Sequence, residues 1–211
     1  MGRRLLVLGA LALGSLLGLE ARAQNLLTNS TFDANVNGWS PLTFLSWNGN
    51  DADGSPSSGS AQVRNNGTPP VAIKSGQCVA ITAGQTYQYA ADYFIPSGQS
   101  DSGEADLILS FYSSSNCVIG YIIGDQVGGV LIDTWDHLAG TFDAPIGASY
   151  AKVELASNKL VGTTGTNYYV LMDNIFLPEA SAGLQQGLAV AALLAAARRR
   201  KSRPGPGCGR D

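Results

Sequence analysis

The sequence predicts an all-β protein, a β-sandwich or jelly roll flanked by an N-terminal signal helix and a C-terminal hydrophobic helix. Three observations lead there. No segment between Gln24 and Leu177 sustains a helical period of apolar residues. Short alternating runs recur through that region, separated by clusters of Gly, Ser, Asn and Pro. Long apolar runs are confined to the two ends of the chain.

At the N-terminus Arg3 and Arg4 precede a mostly apolar run from Leu5 to Leu19, and Ala21-Arg22-Ala23 stands directly before Gln24. A basic start, a short apolar run and a small-x-small site make a secretory signal peptide. The run is shorter than the roughly 20 residues a bilayer span needs. At the other end Gly187 to Ala197 is unbroken apolar sequence, followed at once by Arg198, Arg199, Arg200 and Lys201. A basic cluster beside an apolar helix stays in the cytoplasm, so the region upstream lies outside, as the signal peptide also demands. The expected organisation is a signal peptide at 1–23, one domain at 24–178, a hydrophobic sorting or anchor helix with its Arg cluster at 179–201, and a disordered tail at 202–211. The helix is short for a span, so its membrane insertion is expected to be transient.

The central region is about 155 residues, enough for a single domain with a substantial core. Between Gln24 and Glu179 it holds four cations, Arg64, Lys74, Lys152 and Lys159, against fourteen Asp or Glu, a net charge of −10 that the whole-chain value of −3 conceals. Such a domain repels nucleic acid and attracts cations, which sets nucleic-acid binding aside. Of the three cysteines, Cys78 and Cys117 fall in the exported region and Cys208 beyond the Arg block. An oxidising compartment favours a Cys78–Cys117 disulfide. No Cys/His cluster has zinc spacing.

Seven segments read as strands: 77–82, 86–95, 105–112, 118–123, 137–142, 150–155 and 168–176. Alternation puts Tyr87, Tyr89, Ala91 and Tyr93 on one face and Gln88, Ala90, Asp92 and Phe94 on the other, and the first set reads as core. In the next strand Ala105, Leu107, Leu109 and Phe111 share an apolar face. Asp106, Ile108, Ser110 and Tyr112 form a mixed face that is free to meet a ligand.

Four features then resemble a known group: Asn25-Leu26-Leu27-Thr28-Asn29-Ser30-Thr31-Phe32-Asp33 with Gly38-Trp39; Ser57-Ser58-Gly59-Ser60; Trp135 with Phe142 and Pro145; and Val170-Leu171-Met172-Asp173-Asn174-Ile175. In this order they resemble carbohydrate-binding modules of the galactose-binding-like jelly-roll type. The resemblance implies sugar affinity, Trp39 and Trp135 in the core, and a structural calcium between the terminal strands with Asp33 and Asp173 as ligands. Calcium takes such oxygen ligands. The tail, Leu177-Pro178-Glu179-Ala180-Ser181 followed by the apolar run and Arg block, resembles the Pro-Glu-Pro sorting tails processed by exosortase-type transpeptidases, with Ala180 replacing the second proline. That resemblance implies the outer surface or extracellular matrix of a Gram-negative bacterium.

A sugar site needs an aromatic platform with polar groups around it. Trp47 is the candidate platform because it stands beside the polar Asn48 to Gly54 loop, and Gln88, Asp92 and Tyr112 complete the candidate ligand-binding set. That loop fails as an EF-hand, since aligning Gly54 with the loop glycine puts Gly49 at the first ligand position and Ser60 at the last. His137 is the only histidine and no Gly-x-Ser-x-Gly elbow accompanies it, so no catalysis is expected. Two classes of function remain: a module that binds extracellular polysaccharide, or a structural or adhesive matrix domain without sugar affinity.

Overall fold

The computed structural model describes residues 24–179. The expected signal peptide and sorting helix, the Arg cluster and Cys208 lie outside them. The described chain is a two-sheet antiparallel β-sandwich, and its one helical element is a short 3-10 turn at Leu42–Phe44. The strands are β1 Leu45–Asn48, β2 Ser60–Asn65, β3 Val71–Ala80, β4 Thr86–Phe94, β5 Ser102–Tyr112, β6 Tyr121–Gly129, β7 Asp136–Asp143, β8 Tyr150–Val161 and β9 Tyr168–Phe176. One sheet runs in the order β1-β2-β9-β4-β7 and the other β3-β8-β5-β6. Among the described residues no helix is long and apolar enough to cross a membrane.

The period-two alternation forecast the core faces well. Tyr87, Tyr89, Ala91 and Tyr93 of β4 are buried, and so are Ala105, Leu107, Leu109 and Phe111 of β5. The two sets face each other across the sandwich, where Tyr87 and Phe111 pack at a centroid distance of 6.5 Å. Trp39 and Phe32 join this core, with rings 5.5 Å apart and the indole N–H donated to the Asn29 carbonyl at 3.1 Å. Each large apolar side chain so buried contributes about 1.5–3 kcal/mol.

Some expected boundaries are corrected. β1 and β2 were not anticipated, because Leu45–Asn48 is too short to show a period and Ser60–Asn65 sits among turn residues. β3 begins at Val71 rather than at 77, and β8 continues to Val161 rather than ending at 155. β6 occupies Tyr121–Gly129 rather than 118–123. Its Gly124, Gly128 and Gly129 read as turn punctuation, but the flanking strand β5 supplies the hydrogen bonds that keep them extended. Trp135 is half-buried against Phe94, centroids 5.5 Å apart, rather than part of the central core.

The ends of the domain meet. Asn25 and Pro178 form an antiparallel bridge, and the Leu26 and Glu179 amides donate to the Leu177 and Gln24 carbonyls, each at 2.8 Å. Cys78 on β3 is bonded to Cys117 in the β5–β6 connection, with Cα atoms 5.9 Å apart.

Candidate functional site

The outward face of the four-stranded sheet carries a groove of about 520 Å³. Its floor is the mixed face of β5. Ile108, Ser110 and Tyr112 lie along it, with Gln126, Gly124 and Tyr121 of β6 opposite in register and Glu154 and Lys152 of β8 on the other side. One glycine keeps the floor low: a Cβ at Gly124 would stand 2.9 Å from both the Leu109 carbonyl and the Ser110 hydroxyl.

The groove combines a ring with polar groups. Tyr121 is 60% exposed and meets the edge of Tyr112 in a T-shaped pair at 5.7 Å. Lys74, Gln126 and Glu154 line the groove around them, and Glu154 is bridged to Lys152 at 2.8 Å. Burial, seconded by the Glu154 carboxylate, pushes the Tyr112 phenol up from its ordinary value. Asp106 lies on the same face of β5, fully buried, and neither carboxylate oxygen has a hydrogen-bond partner. Burial first and Glu104 second push its carboxyl up to about 6; the nearby amides of Gln126 and Asn158 oppose the rise without closing a hydrogen bond of good geometry.

The four residues expected to bind ligand are not brought together. Tyr112 lies in the groove. Gln88 is on the outward face of the other sheet, in a shallow depression of about 330 Å³ with His137, Thr141 and Phe176. Asp92, on that same face, accepts from Asn174 Nδ2 at 2.9 Å and sits 2.7 Å from His137 Nδ1. Trp47 is 42% exposed at the margin strand β1, and its indole N–H is held by the Phe32 carbonyl at 2.7 Å. The sequence reading missed Lys74, Tyr121, Gln126 and Glu154. Tyr121 was within reach as an aromatic in an expected strand, but only the register shows that it faces Tyr112.

The two aspartates expected to share a calcium differ in burial and in partners. Asp33 is exposed and accepts from Thr31 Oγ1 at 2.9 Å and Ser58 Oγ at 3.4 Å. Asp173 is buried, accepts from the Ala52 and Asn174 amides at 3.1 and 2.7 Å, and is pushed up to about 6 by burial, with Asp51 and Asp53 adding repulsion. The loop that fails as an EF-hand is thus the electrostatic neighbour of Asp173. Among the described residues no three carboxylate, imidazole or thiolate side chains converge as a metal cluster. The Asp51–Asp53 loop beside Asp173 offers carboxylate and carbonyl oxygens, the ligand type that calcium takes.

No family model matches the sequence, and no curated protein matches it. Solved structures do match in fold. The enzymatically active domain of bacteriophage CBA120 tailspike protein 4 superposes with a TM-score of 0.52 at 14% identity, over 73% of this chain and 21% of that one. The arabinose-bound α-L-arabinofuranosidase MgGH51 does so at 0.51 and 15%, over 73% of this chain and 26% of that one. The chain therefore spans about a fifth to a quarter of these two proteins. The carbohydrate-binding module TmCBM61, solved in complex with β-1,4-galactotriose, superposes at 0.51 and 11% identity over 74% of this chain and 99% of the module. The described domain therefore has the fold of a carbohydrate-binding module along nearly that module's whole length.

Proposed function

We propose that this domain is a non-catalytic module that holds extracellular polysaccharide in the groove of the four-stranded sheet. The observation that carries the reading is the exposed Tyr121 ring beside Gln126, Ser110, Lys74 and Glu154 in an open groove. A pyranose stacks an apolar face on such a ring while its hydroxyls bond to the surrounding polar groups. The fold shared with TmCBM61, whose structure holds a galactotriose, supports a glycan as the ligand class.

The basic start, short apolar run and small-x-small site at the N-terminus, with the apolar run and Arg block of the tail, support a module outside the cell, on the surface or in the matrix, with a sorting transpeptidase acting at the tail. Calcium belongs to the proposal as a structural ion held by Asp173 and the Asp51–Asp53 loop, where it would relieve the repulsion among these carboxylates. Mass spectrometry of the native surface protein should find a mature N-terminus at Gln24.

A glycan array probed with the protein tests the central claim. Binding to at least one polysaccharide is expected, with loss in Tyr121→Ala and Gln126→Ala at unchanged circular dichroism. Silence of the wild type across the array would overturn it and leave the structural or adhesive role.

A further inference from the structure

The Tyr168 hydroxyl has no hydrogen-bond partner among the described residues, although the residue is only 2% exposed. Leaving a buried hydroxyl unpaired costs about 1–3 kcal/mol. Tyr168 lines a cavity of about 130 Å³ at one end of the sandwich, and Ile95, Pro96 and Ile132 give that cavity apolar wall. Gly103 of β5 passes directly over the phenol ring, where a Cβ would stand 2.9 Å from a ring carbon, so a larger residue would crowd the ring and the space beside it.

The walls are held in place by the backbone. Gln99 donates to the Pro96 and Tyr169 carbonyls at 3.0 and 3.1 Å and accepts from the Tyr169 amide at 2.6 Å, which fastens the β4–β5 connection to β9. Ile95 and Ile132 form a parallel bridge, the Asp133 amide donates to the Ile95 carbonyl at 2.9 Å, and the Asp133 carboxylate accepts from the Ser97 amide at 2.8 Å. The β4–β5 and β6–β7 connections are thereby knitted together around the cavity. Asp101 also lines it, but its charge is taken up by Lys159.

We propose that this cavity is a second binding site, which takes the acetamido group of an N-acetylhexosamine, with the Tyr168 hydroxyl donating to the acetyl carbonyl and the methyl seated against Ile95, Pro96 and Ile132. Three properties of the cavity select that group. Burial first, then the Glu104 and Asp106 carboxylates, push the phenol up from its ordinary value, so it stays protonated and calls for an acceptor. The same carboxylates, in a domain of net charge −10, turn away an anionic acceptor such as a carboxylate. A cavity of roughly 150 Å³ holds one benzene, so this one admits a substituent of a few heavy atoms and not a whole pyranose. An acetyl group is neutral, accepts through its carbonyl and ends in an apolar methyl. That a sugar carries it rests on the glycan reading of the groove, with which the cavity shares no lining residue.

Saturation-transfer NMR of the full chain with the methyl glycosides of N-acetylglucosamine, N-acetylgalactosamine and glucose tests the site. At least one of the two acetamido sugars should receive saturation, most strongly at its acetyl methyl, and the glucoside should receive at least fivefold less. Tyr168→Phe keeps the ring and removes only the unpaired hydroxyl, so it should melt at the wild-type temperature or above and lose the acetyl signal by about fivefold or more. Ile132→Glu, at a 57% exposed position, should lose it as well. Saturation equal for all three sugars, absent for all three, unchanged in Tyr168→Phe, or lost in Tyr121→Ala while kept in Tyr168→Phe would overturn the proposal. Acetyl saturation beside a silent polysaccharide array would remove the groove and leave this site, whereas a responding array without acetyl saturation would remove this site alone.

Discussion

Lys159 Nζ lies 2.6 Å from Asp101 Oδ2, and neither side chain reaches solvent. The ammonium also donates to the Thr163 and Thr166 carbonyls at 2.7 and 2.9 Å, while Asp101 accepts from the Thr163 amide at 3.2 Å and from the Thr166 hydroxyl. The pair pins the β8–β9 loop to the segment entering β5. Taking two charges out of water is costly, and only a fully satisfied set of partners offsets that cost.

Removing one partner therefore strands the other. Lys159→Met should lower the melting temperature by about 10 °C, and Asp101→Asn by less, because an amide can still accept from the ammonium and the threonine. The hydrogen bonds from Lys159 first and Thr166 second hold the Asp101 carboxyl down at about 2, against the effect of burial. A depressed carboxyl stabilises the fold above its unfolded value near 4, and that stability is lost only as pH falls toward about 2. A fluorescence melt of each variant checks both statements.

Asp106 and Asp173 act in the opposite sense. Both carboxyls are raised to about 6, mainly by burial. A raised carboxyl takes up a proton on folding, so its contribution is full below about pH 4 and is lost as pH rises through about 6. The domain should thus melt higher at pH 5 than at pH 8. Asp106→Asn and Asp173→Asn should each flatten that slope by about 1–2 kcal/mol after allowance for solvent screening. A melting temperature that rises from pH 5 to pH 8 in the wild type would count against the raised values.

Calcium should weaken the same slope through Asp173 alone. A ligand that binds only the folded state raises stability as RT ln(1 + [L]/Kd). Millimolar calcium should lift the melting temperature of the wild type and of Asp33→Asn, and it should lift that of Asp173→Asn little. Magnesium should do less, because it demands tighter geometry and gives up its water reluctantly. If Asp33→Asn abolished the response instead, the ion would sit elsewhere than beside Asp51 and Asp53.

The Cys78–Cys117 bond spans a sequence separation of 39 residues. Closing such a loop adds about 3–4 kcal/mol in the chain-entropy model. Reductant should lower the melting temperature by roughly 10 °C, and the Cys78→Ala, Cys117→Ala double variant should match the reduced protein. Thiol labelling of the unfolded, unreduced domain should find neither residue reactive.

The all-β fold class, the pairing of Cys78 with Cys117 and the inward faces of β4 and β5 follow from the sequence by itself. Each rests on a local property: period-two alternation in Tyr87–Tyr93 and Ala105–Phe111, or the count of cysteines available for pairing. Even the face that lines the groove, Ile108, Ser110 and Tyr112, is legible there as the polar complement of an apolar run. What the tertiary structure alone decided is which faces and loops become neighbours. Tyr121 meets Tyr112 only through a register interrupted by a bulge beside Phe111, and Gln126 and Glu154 reach Ile108 from strands on opposite sides of it. Asp173 meets Asp51 and Asp53 because the loop after β1 folds over β9, a contact spanning more than a hundred residues. Side-chain direction has a period that sequence displays, whereas strand order and loop path are set by packing the whole core at once, which no local window contains.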